Sequence, residues 1–284
     1  MKANLNTLAL ALTLALPAPA MALTITTSTD GNALANSLLG SGVTISNVNL
    51  IGAATQQGTF TGGVASGIGI DSGVILTSGN ANLAPGPNTS DGSGASTGTG
   101  SDADLALLIP GYSVNDKNVL EFDFTSTSGN LYFSYVFASE EYNEYVNSSF
   151  NDVFGFFVDG VNIALLPDGH PVSIDNVNCG NPFGGPGEHC DLFNNNDLSD
   201  GGPLFNIQYD GFTDVFVASV LNLGAGTHHI KLAIADAGDT ALDSAVFLKA
   251  GSFTDVNPAP EPASLALLGI GLAGLGAMRR SKTA

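Results

Sequence analysis

Between Leu23 and Asn257 the hydrophobic pattern repeats with a period of two rather than 3.6, and this constrains the fold more than any other feature. Leu120-Glu-Phe-Asp-Phe124 alternates apolar and polar residues. Leu131-Tyr-Phe-Ser-Tyr-Val-Phe137 places Leu131, Phe133, Tyr135 and Phe137 on one face, and Ile230-Lys-Leu-Ala-Ile234 alternates again. Successive side chains of a strand point to opposite faces, so each run reads as a half-buried antiparallel strand. Asp152 to Val158, Val161 to Leu166, Phe212 to Leu223 and Ala245 to Leu248 are more continuously apolar. They suit central strands covered on both faces. Val43 to Ile51, Thr59 to Ala65 and Val74 to Leu76 add strands nearer the N-terminus.

Turn residues support the same reading. Asp159-Gly160 sits between two apolar runs, which is a two-residue hairpin signal. Short strands with frequent turns predict an all-β fold, an antiparallel β-sandwich or jelly roll with a few short helices and flexible terminal segments. Helices are predicted over Ala33 to Leu39 behind an Asn32 cap, and over Asp102 to Leu108 behind Ser101 and ahead of Pro110. Glu140 to Val146 suits a turn or two of helix. Pro85 to Ser101, rich in Gly, Ser, Thr and Asn, reads as a mobile loop rather than a linker. Asn176 to Gly202 is a second irregular stretch and holds both cysteines.

Composition narrows the class. The 284 residues carry 26 acids against 7 lysines and arginines, a formal net charge of −19. So large an acid excess repels phosphate backbones and argues against nucleic-acid binding. Only 12% of residues are charged and 44% are hydrophobic, so the chain is not a disordered polyanion. Its 36 glycines and scarce Lys, Arg and Glu oppose a helix bundle.

Both ends carry addresses. Residues 1–22 read as a secretory signal peptide: Lys2, the apolar run Leu8 to Leu16, and a small-x-small cleavage pattern at Ala20-Met21-Ala22. Residues 258–284 contain Pro260-Glu261-Pro262, an apolar run from Ala263 to Met278, and Arg279-Arg280-Ser281-Lys282. That run makes roughly 24 Å of helix, short for a lasting bilayer span. The cations at its end would stay cytoplasmic and place the acidic bulk outside. The domain left between the ends, 23–257, holds 25 acids and three lysines, so its net charge is −22.

The order Pro-Glu-Pro, apolar helix, basic tail resembles the PEP-CTERM sorting signal of Gram-negative bacteria. The resemblance implies recognition by an exosortase, removal of the tail, transient or lasting inner-membrane contact through the C-terminal helix, and a host that makes extracellular polysaccharide and biofilm. A second resemblance covers the middle of the chain. It rests on Tyr135-Val-Phe-Ala-Ser-Glu-Glu-Tyr-Asn-Glu-Tyr145, Phe150-Asn-Asp-Val-Phe-Gly-Phe-Phe157, Pro171-Val-Ser-Ile-Asp-Asn-Val-Asn178, Tyr209-Asp-Gly-Phe-Thr213, and Lys231 to Asp236 followed by Asp243 to Phe253. Together these resemble the choice-of-anchor L domain. That implies an exported β-rich module and brings no known activity or catalytic set.

Three acidic clusters could carry chemistry: Glu140, Glu141 and Glu144 with Asn151 and Asp152; Asp236, Asp239 and Asp243; and Asp102 with Asp104. Asp236 is expected to end one strand, and Glu140 and Glu141 another. If these ends share one edge of the sandwich, their carboxylates converge and need a cation. Calcium accepts six to eight such oxygens in flexible geometry. The expected structural Ca²⁺ ligands are Glu140 or Glu141, Asp152, Asp236 and Asp239. The competing reading is a solvated acidic rim that confers solubility. No EF-hand pattern is present.

Cys179 and Cys190 enclose a Gly- and Pro-rich loop in an exported chain, so a disulfide is expected, worth about 3 kcal/mol for a loop of this size. Their spacing with His170 and His189 does not fit a zinc finger. No G-x-S-x-G is present, and Glu140 and Glu141, being adjacent on a strand, would face opposite ways and make a poor glycosidase pair. With no Trp, a sugar platform would fall to Tyr112, Tyr142, Tyr145 and Tyr209, which equally suit the rim of the core. The expected function is therefore that of a non-catalytic surface-anchored or matrix-released protein, processed by an exosortase and associated with extracellular polysaccharide. The alternatives are a calcium-assisted carbohydrate-binding or adhesion module and a secreted hydrolase.

Overall fold

The computed structural model describes residues 22–258. In chain order its strands are β1 (Thr24–Thr27), β2 (Val43–Ile51), β3 (Gln57–Thr61), β4 (Ser72–Thr77), β5 (Val114–Ser126), β6 (Leu131–Ser139), β7 (Val153–Val158), β8 (Val161–Asn162), β9 (Val172–Ser173), β10 (Phe193–Asn195), β11 (Gly211–Thr213), β12 (Phe216–Val220), β13 (His228–Ala237) and β14 (Ser244–Lys249). The helices are α1 (Gly31–Leu38), α2 (Gly63–Ser66) and α3 (Ala103–Leu108). One sheet runs β1-β3-β4-β14-β6-β11-β10, with β12 also on β6; the other runs β2-β5-β13-β7-β8, with β9 on β7. Neighbours pair antiparallel throughout both sheets.

The two sheets pack face to face through the residues that the period of two selects. Phe133, Tyr135 and Phe137 of β6 meet Phe154 and Phe156 of β7, with Leu232 and Ile234 of β13 and Val246 and Leu248 of β14 in the same core. Phe133 and Phe156 stack edge to face at 4.9 Å between centroids. Burying an aromatic of this kind stabilises the fold by roughly 2–3 kcal/mol.

Part of each outer face is covered as well, while outward residues of β2 and β12 such as Thr44, Ser46 and Val217 stay exposed. Val136 and Ala138 of β6 pack outward with Phe60, Ile75, Tyr209 and Phe247. On the other sheet, Val119, Val153, Phe157, Ala233 and Ala235 are covered by Leu105 and Ile109, from α3 and the residue after it. This corrects the half-buried reading of β6: its polar-looking positions are occupied by Ser134, Val136 and Ala138, small enough to lie under the covering segments. The expectation for β7 and β14, apolar on both faces, matches their near-continuous burial.

Several boundaries differ from the sequence expectation, each for a local reason. Asp30, not Asn32, caps α1, its carboxylate accepting from Ala33 N at 3.0 Å. Asp102, not Ser101, caps α3, accepting from the N–H groups of Asp104 and Leu105. Asp at an N-cap satisfies donors that the first turn leaves free. Val64 and Ala65 turn into α2 rather than extending β3. The 212–223 run is split into β11 and β12 around Asp214 and Val215, and β8 stops at Asn162. The stretch after β6 forms hydrogen-bonded turns, such as Tyr145 N to Glu141 O, without a helix. The Asp159-Gly160 hairpin is as expected, with φ of 49° and 81° at the two corner residues, the positive values its tight turn requires.

The 85–101 segment is tied to the sandwich rather than free. Its backbone N–H groups donate to Asp243 from Ala95 (2.8 Å), and to Asp116 from Thr97 (2.8 Å) and Gly98 (2.7 Å). Glycine and serine let the backbone approach these carboxylates closely, so a composition that suggested mobility serves here as a lid of amide donors.

Candidate metal centre

Strand parity explains how carboxylates come to lie between the sheets. On β13 the inward residues are Ile230, Leu232 and Ile234, so Asp236 continues the inward series at the strand's end. A bulge in the β5 pairing falls between Ile234 and Asp236, and bulges re-aim side chains at sheet ends. On β7, Phe154, Phe156 and Val158 face inward, and Asp152 precedes them in the same series. After β6, parity sends Glu141 toward the same interior and Glu140 toward the opposite face. Glu140, Glu141, Asp152 and Asp236 are all fully buried; Asp239 is half-buried.

The buried carboxylates fall into two groups. Those of the first group are satisfied by donors. Asp243 accepts from Asn80 N (2.7 Å) and Ala95 N (2.8 Å), and Asp152 from Ala237 N (2.8 Å) and Ser244 Oγ (2.6 Å). Asp102, buried, and Asp104, half-exposed, share the single charge of Lys231 Nζ at 2.7 Å each. The second group lacks partners. Both oxygens of Asp236, Glu141 Oε2 and Glu140 Oε1 have no hydrogen-bond partner. Ser78 faces Asp236, but its hydroxyl bonds to the Ser244 carbonyl (3.4 Å) and accepts from Ser244 N (2.9 Å).

Burial pushes these carboxyls far above the ordinary carboxylate range, and their neighbours push further. Asp236 is raised strongly by burial and then by Asp152. Glu141 rises to about 9 through burial, Asp152, Asp239 and Glu144, and Glu140 to about 10 through burial and Asp210. Asp152 rises to about 7, again chiefly by burial. Groups so placed must either keep protons or share a cation, because an unpaired buried charge is costly. Glu141 and Asp239 line a cavity of about 200 Å³ together with Tyr145, Phe150, Ala241 and Leu242; Asp152 and Asp236 are not part of its lining.

The remaining expectations place as follows. Cys179 and Cys190 are disulfide-bonded, with Cα atoms 4.6 Å apart, so neither is a free ligand. His170 Nδ1 and His189 Nε2 lie 2.8 and 3.3 Å from Asp168 Oδ2. Tyr142 and Tyr209 are buried and offer no sugar platform; Tyr112 donates to Asp175 at 2.9 Å. Ala20 and the sorting-signal residues Pro260, Glu261, Pro262, Arg279 and Arg280, with the apolar run between them, lie outside the described residues. Ala22 is the first described residue, and Leu23 after it is buried, its N–H donating to Ser66 Oγ at 2.9 Å. Among the described residues no helix is long and apolar enough to cross a membrane.

Asp91, Asp197, Asp200 and Asp210 surround this end of the molecule and were not singled out as ligands from the sequence. They sit in loops without periodicity, and the only signal they offered was the Asp-Gly pairs at 91, 200 and 210.

Fold and site together define an antiparallel β-sandwich module with carboxylates gathered inside one end. The choice-of-anchor L domain matches residues 24–254, and the PEP-CTERM protein-sorting motif matches residues 258–280. The chain belongs to the choice-of-anchor L domain family, and its sorting motif marks it as an exported, exosortase-processed surface protein of a Gram-negative bacterium. No curated protein and no solved structure matches it.

Proposed function

We propose that this protein is a non-catalytic surface or matrix component acting with extracellular polysaccharide, its sandwich locked by a structural Ca²⁺ ion. The ion would be held by Asp236 and Asp152, with Glu141 and Asp239 closing on it, since among the described residues no three of these carboxylates lie within 4.8 Å of one another; Glu140 stands behind them on the other side of the strand end. The carrying observation is Asp236: fully buried, both oxygens unpartnered, beside Asp152. Calcium supplies charge to oxygens that the protein leaves without donors, and extracellular calcium suffices for weak sites. The depth of Glu140, Glu141, Asp152 and Asp236 supports a structural role over a hydrolytic one, since a polymer chain has no access to them. The tie to polysaccharide rests only on what the resemblance of the C-terminal signal implies about the host; the motif match itself, over residues 258–280, speaks to sorting.

Thermal melting with and without chelator tests the calcium reading. An ion at 100 times its dissociation constant stabilises by about 2.7 kcal/mol, or roughly 5–10 °C for a domain of this size. Asp236→Asn should lose that gain while melting no lower than wild type in EDTA, because it also relieves repulsion. An unchanged wild-type melting temperature in excess EDTA would remove the ion from this reading. Co-sedimentation with host matrix polysaccharide tests the other half, and failure to co-sediment at physiological calcium would sink it.

A further inference from the structure

A separate group of carboxylates lies on the outer side of the β6 end, drawn from four stretches of chain. Asp91 comes from the 85–101 segment, Glu144 from the turns after β6, Asp197 from the loop after β10, and Asp210 from the residue before β11. One oxygen each of Asp91, Glu144 and Asp197 lies within 4.8 Å of the others. Oxygens bound to Ca²⁺ at about 2.3–2.6 Å are at most about 5 Å apart, so the spacing fits one shared ion.

Three unpartnered atoms point to a ligand here. Asp210 is fully buried; Asn88 Nδ2 donates to its Oδ1 at 2.5 Å, but its Oδ2 has no partner. Asn88 Nδ2 also donates to the Asn196 carbonyl at 3.1 Å, so Asp210 lies beside the loop that carries Asp197. Asn143 Oδ1, buried, and Glu144 Oε2 are also without partners. Around them the frame is well ordered by hydrogen bonds. Asp197 accepts from Ser199 N (2.6 Å) and Asn143 N (3.2 Å), and Ser199 Oγ donates to Glu144 Oε1 at 3.3 Å. No cation of the protein answers this charge: among the described residues the only Lys or Arg side chains are Lys117, Lys231 and Lys249, and Lys231 is held by Asp102 and Asp104.

We propose that Asp91, Glu144, Asp197 and Asp210 form a second Ca²⁺ site, distinct from the Asp236 pocket, which fastens the 85–101 segment and the 195–203 loop to the end of β6. The site adds the 85–101 segment to an end where β10, β11 and β6 are already paired, and it lies closer to the surface, since Asp91 is exposed and Glu144 half-buried. Its ion therefore exchanges more readily with the medium than one at Asp236.

Calorimetric titration of Ca²⁺ into the metal-stripped exported protein tests this. Wild type should bind two ions. Asp91→Asn, an exposed position where folding is not at stake, should lose one of them. Losing an outer-shell partner already costs about 10–100-fold in affinity, so losing a ligand should cost at least about 10-fold. Asp236→Asn should lose only the other ion. If Asp91→Asn and Asp197→Asn both keep wild-type stoichiometry and affinity, the second site is wrong. If Asp91→Asn removes the sole ion and Asp236→Asn changes nothing, the second site stands and the Asp236 reading fails. A broad-specificity protease gives an independent readout. Calcium should suppress cleavage within 85–101 in wild type and in Asp236→Asn, and should fail to do so in Asp91→Asn; equal protection of all three would overturn the crosslinking role.

Discussion

His228 Nδ1 and Asp159 Oδ2 meet at 2.7 Å across the start of β13 and the β7–β8 turn, beside the Phe124 ring. The hydrogen bond to Asp159 raises the His228 pKa above its ordinary value, and the Gly224 carbonyl adds to this. Asp159 is lowered in turn: burial opposes the shift, and hydrogen bonds from His229 N and His228 outweigh it. A raised histidine contributes stability that is complete below its unfolded value near 6.5 and fades as pH climbs through the folded value. The lowered aspartate contributes above about 3.8 and fades as pH falls through its folded value. The pair therefore works best between roughly pH 4 and 6.5. With Asp159 half in solvent, its worth is about 0.5 kcal/mol. His228→Gln should lower the melting temperature at pH 5.5 and differ little from wild type at pH 8.5; an equal loss at both would mean the ring matters by packing alone. Neighbours on a strand point to opposite faces, and the side chain of His228 is 14% exposed against 48% for His229. What that parity leaves open is the partner, because Asp159 reaches His228 only once the hairpin has folded back.

At the scale of elements, α3 shows how a short helix is fixed by one residue with two jobs. Asp102 caps its first turn and also receives Lys231 Nζ from β13 at 2.7 Å. Leu105, fully buried, then covers the outer face of the second sheet. Six residues are too few for a helix to hold itself in water, so cap and packing must act together. Asp102→Ala should cost about 1–2 kcal/mol, because Lys231 keeps Asp104. Hydrogen exchange at Leu105 should speed up while β7 and β13 stay protected; uniform acceleration would mean that α3 is part of the global core instead. The helix itself was legible from Pro110 and the apolar spacing. Its cap was misplaced by one residue, since Ser and Asp compete for that role on nearly equal terms.

For the whole molecule, two sheets packed face to face over an apolar core leave the acid excess little to do inside except at one end, where strand ends and long connections meet. Beyond the folded domain the sorting motif directs the chain to exosortase processing. Replacing Pro260-Glu261-Pro262 by three alanines should leave the full-length chain in the membrane fraction of its host, whereas wild type should be released with its tail removed, as intact-mass measurement would show. Release of the triple variant at the wild-type rate would mean that the motif is not what the processing step reads.

The strand-rich class, the inward face of β6, the alternation of β13 and the C-terminal sorting address were all legible in the linear pattern. The placing of Asp236 at a strand end was legible too, because a period of two is a local property that a linear reading captures; that Asp152 and Asp236 continue the inward series came from the fold. Only the tertiary structure decided which carboxylates find donors and which do not. Asp243 and Asp116 are met by amides of a segment that looked mobile, and Asp102 is met by Lys231, while Asp236, Glu141 and Asp210 retain oxygens without partners. The fold brings Asp91, Glu144 and Asp197 together, with Asp210 beside the Asp197 loop. Their loops carry no periodicity, and their meeting depends on where four separate stretches of chain cross one end of the sandwich, which is a property of topology rather than of local pattern.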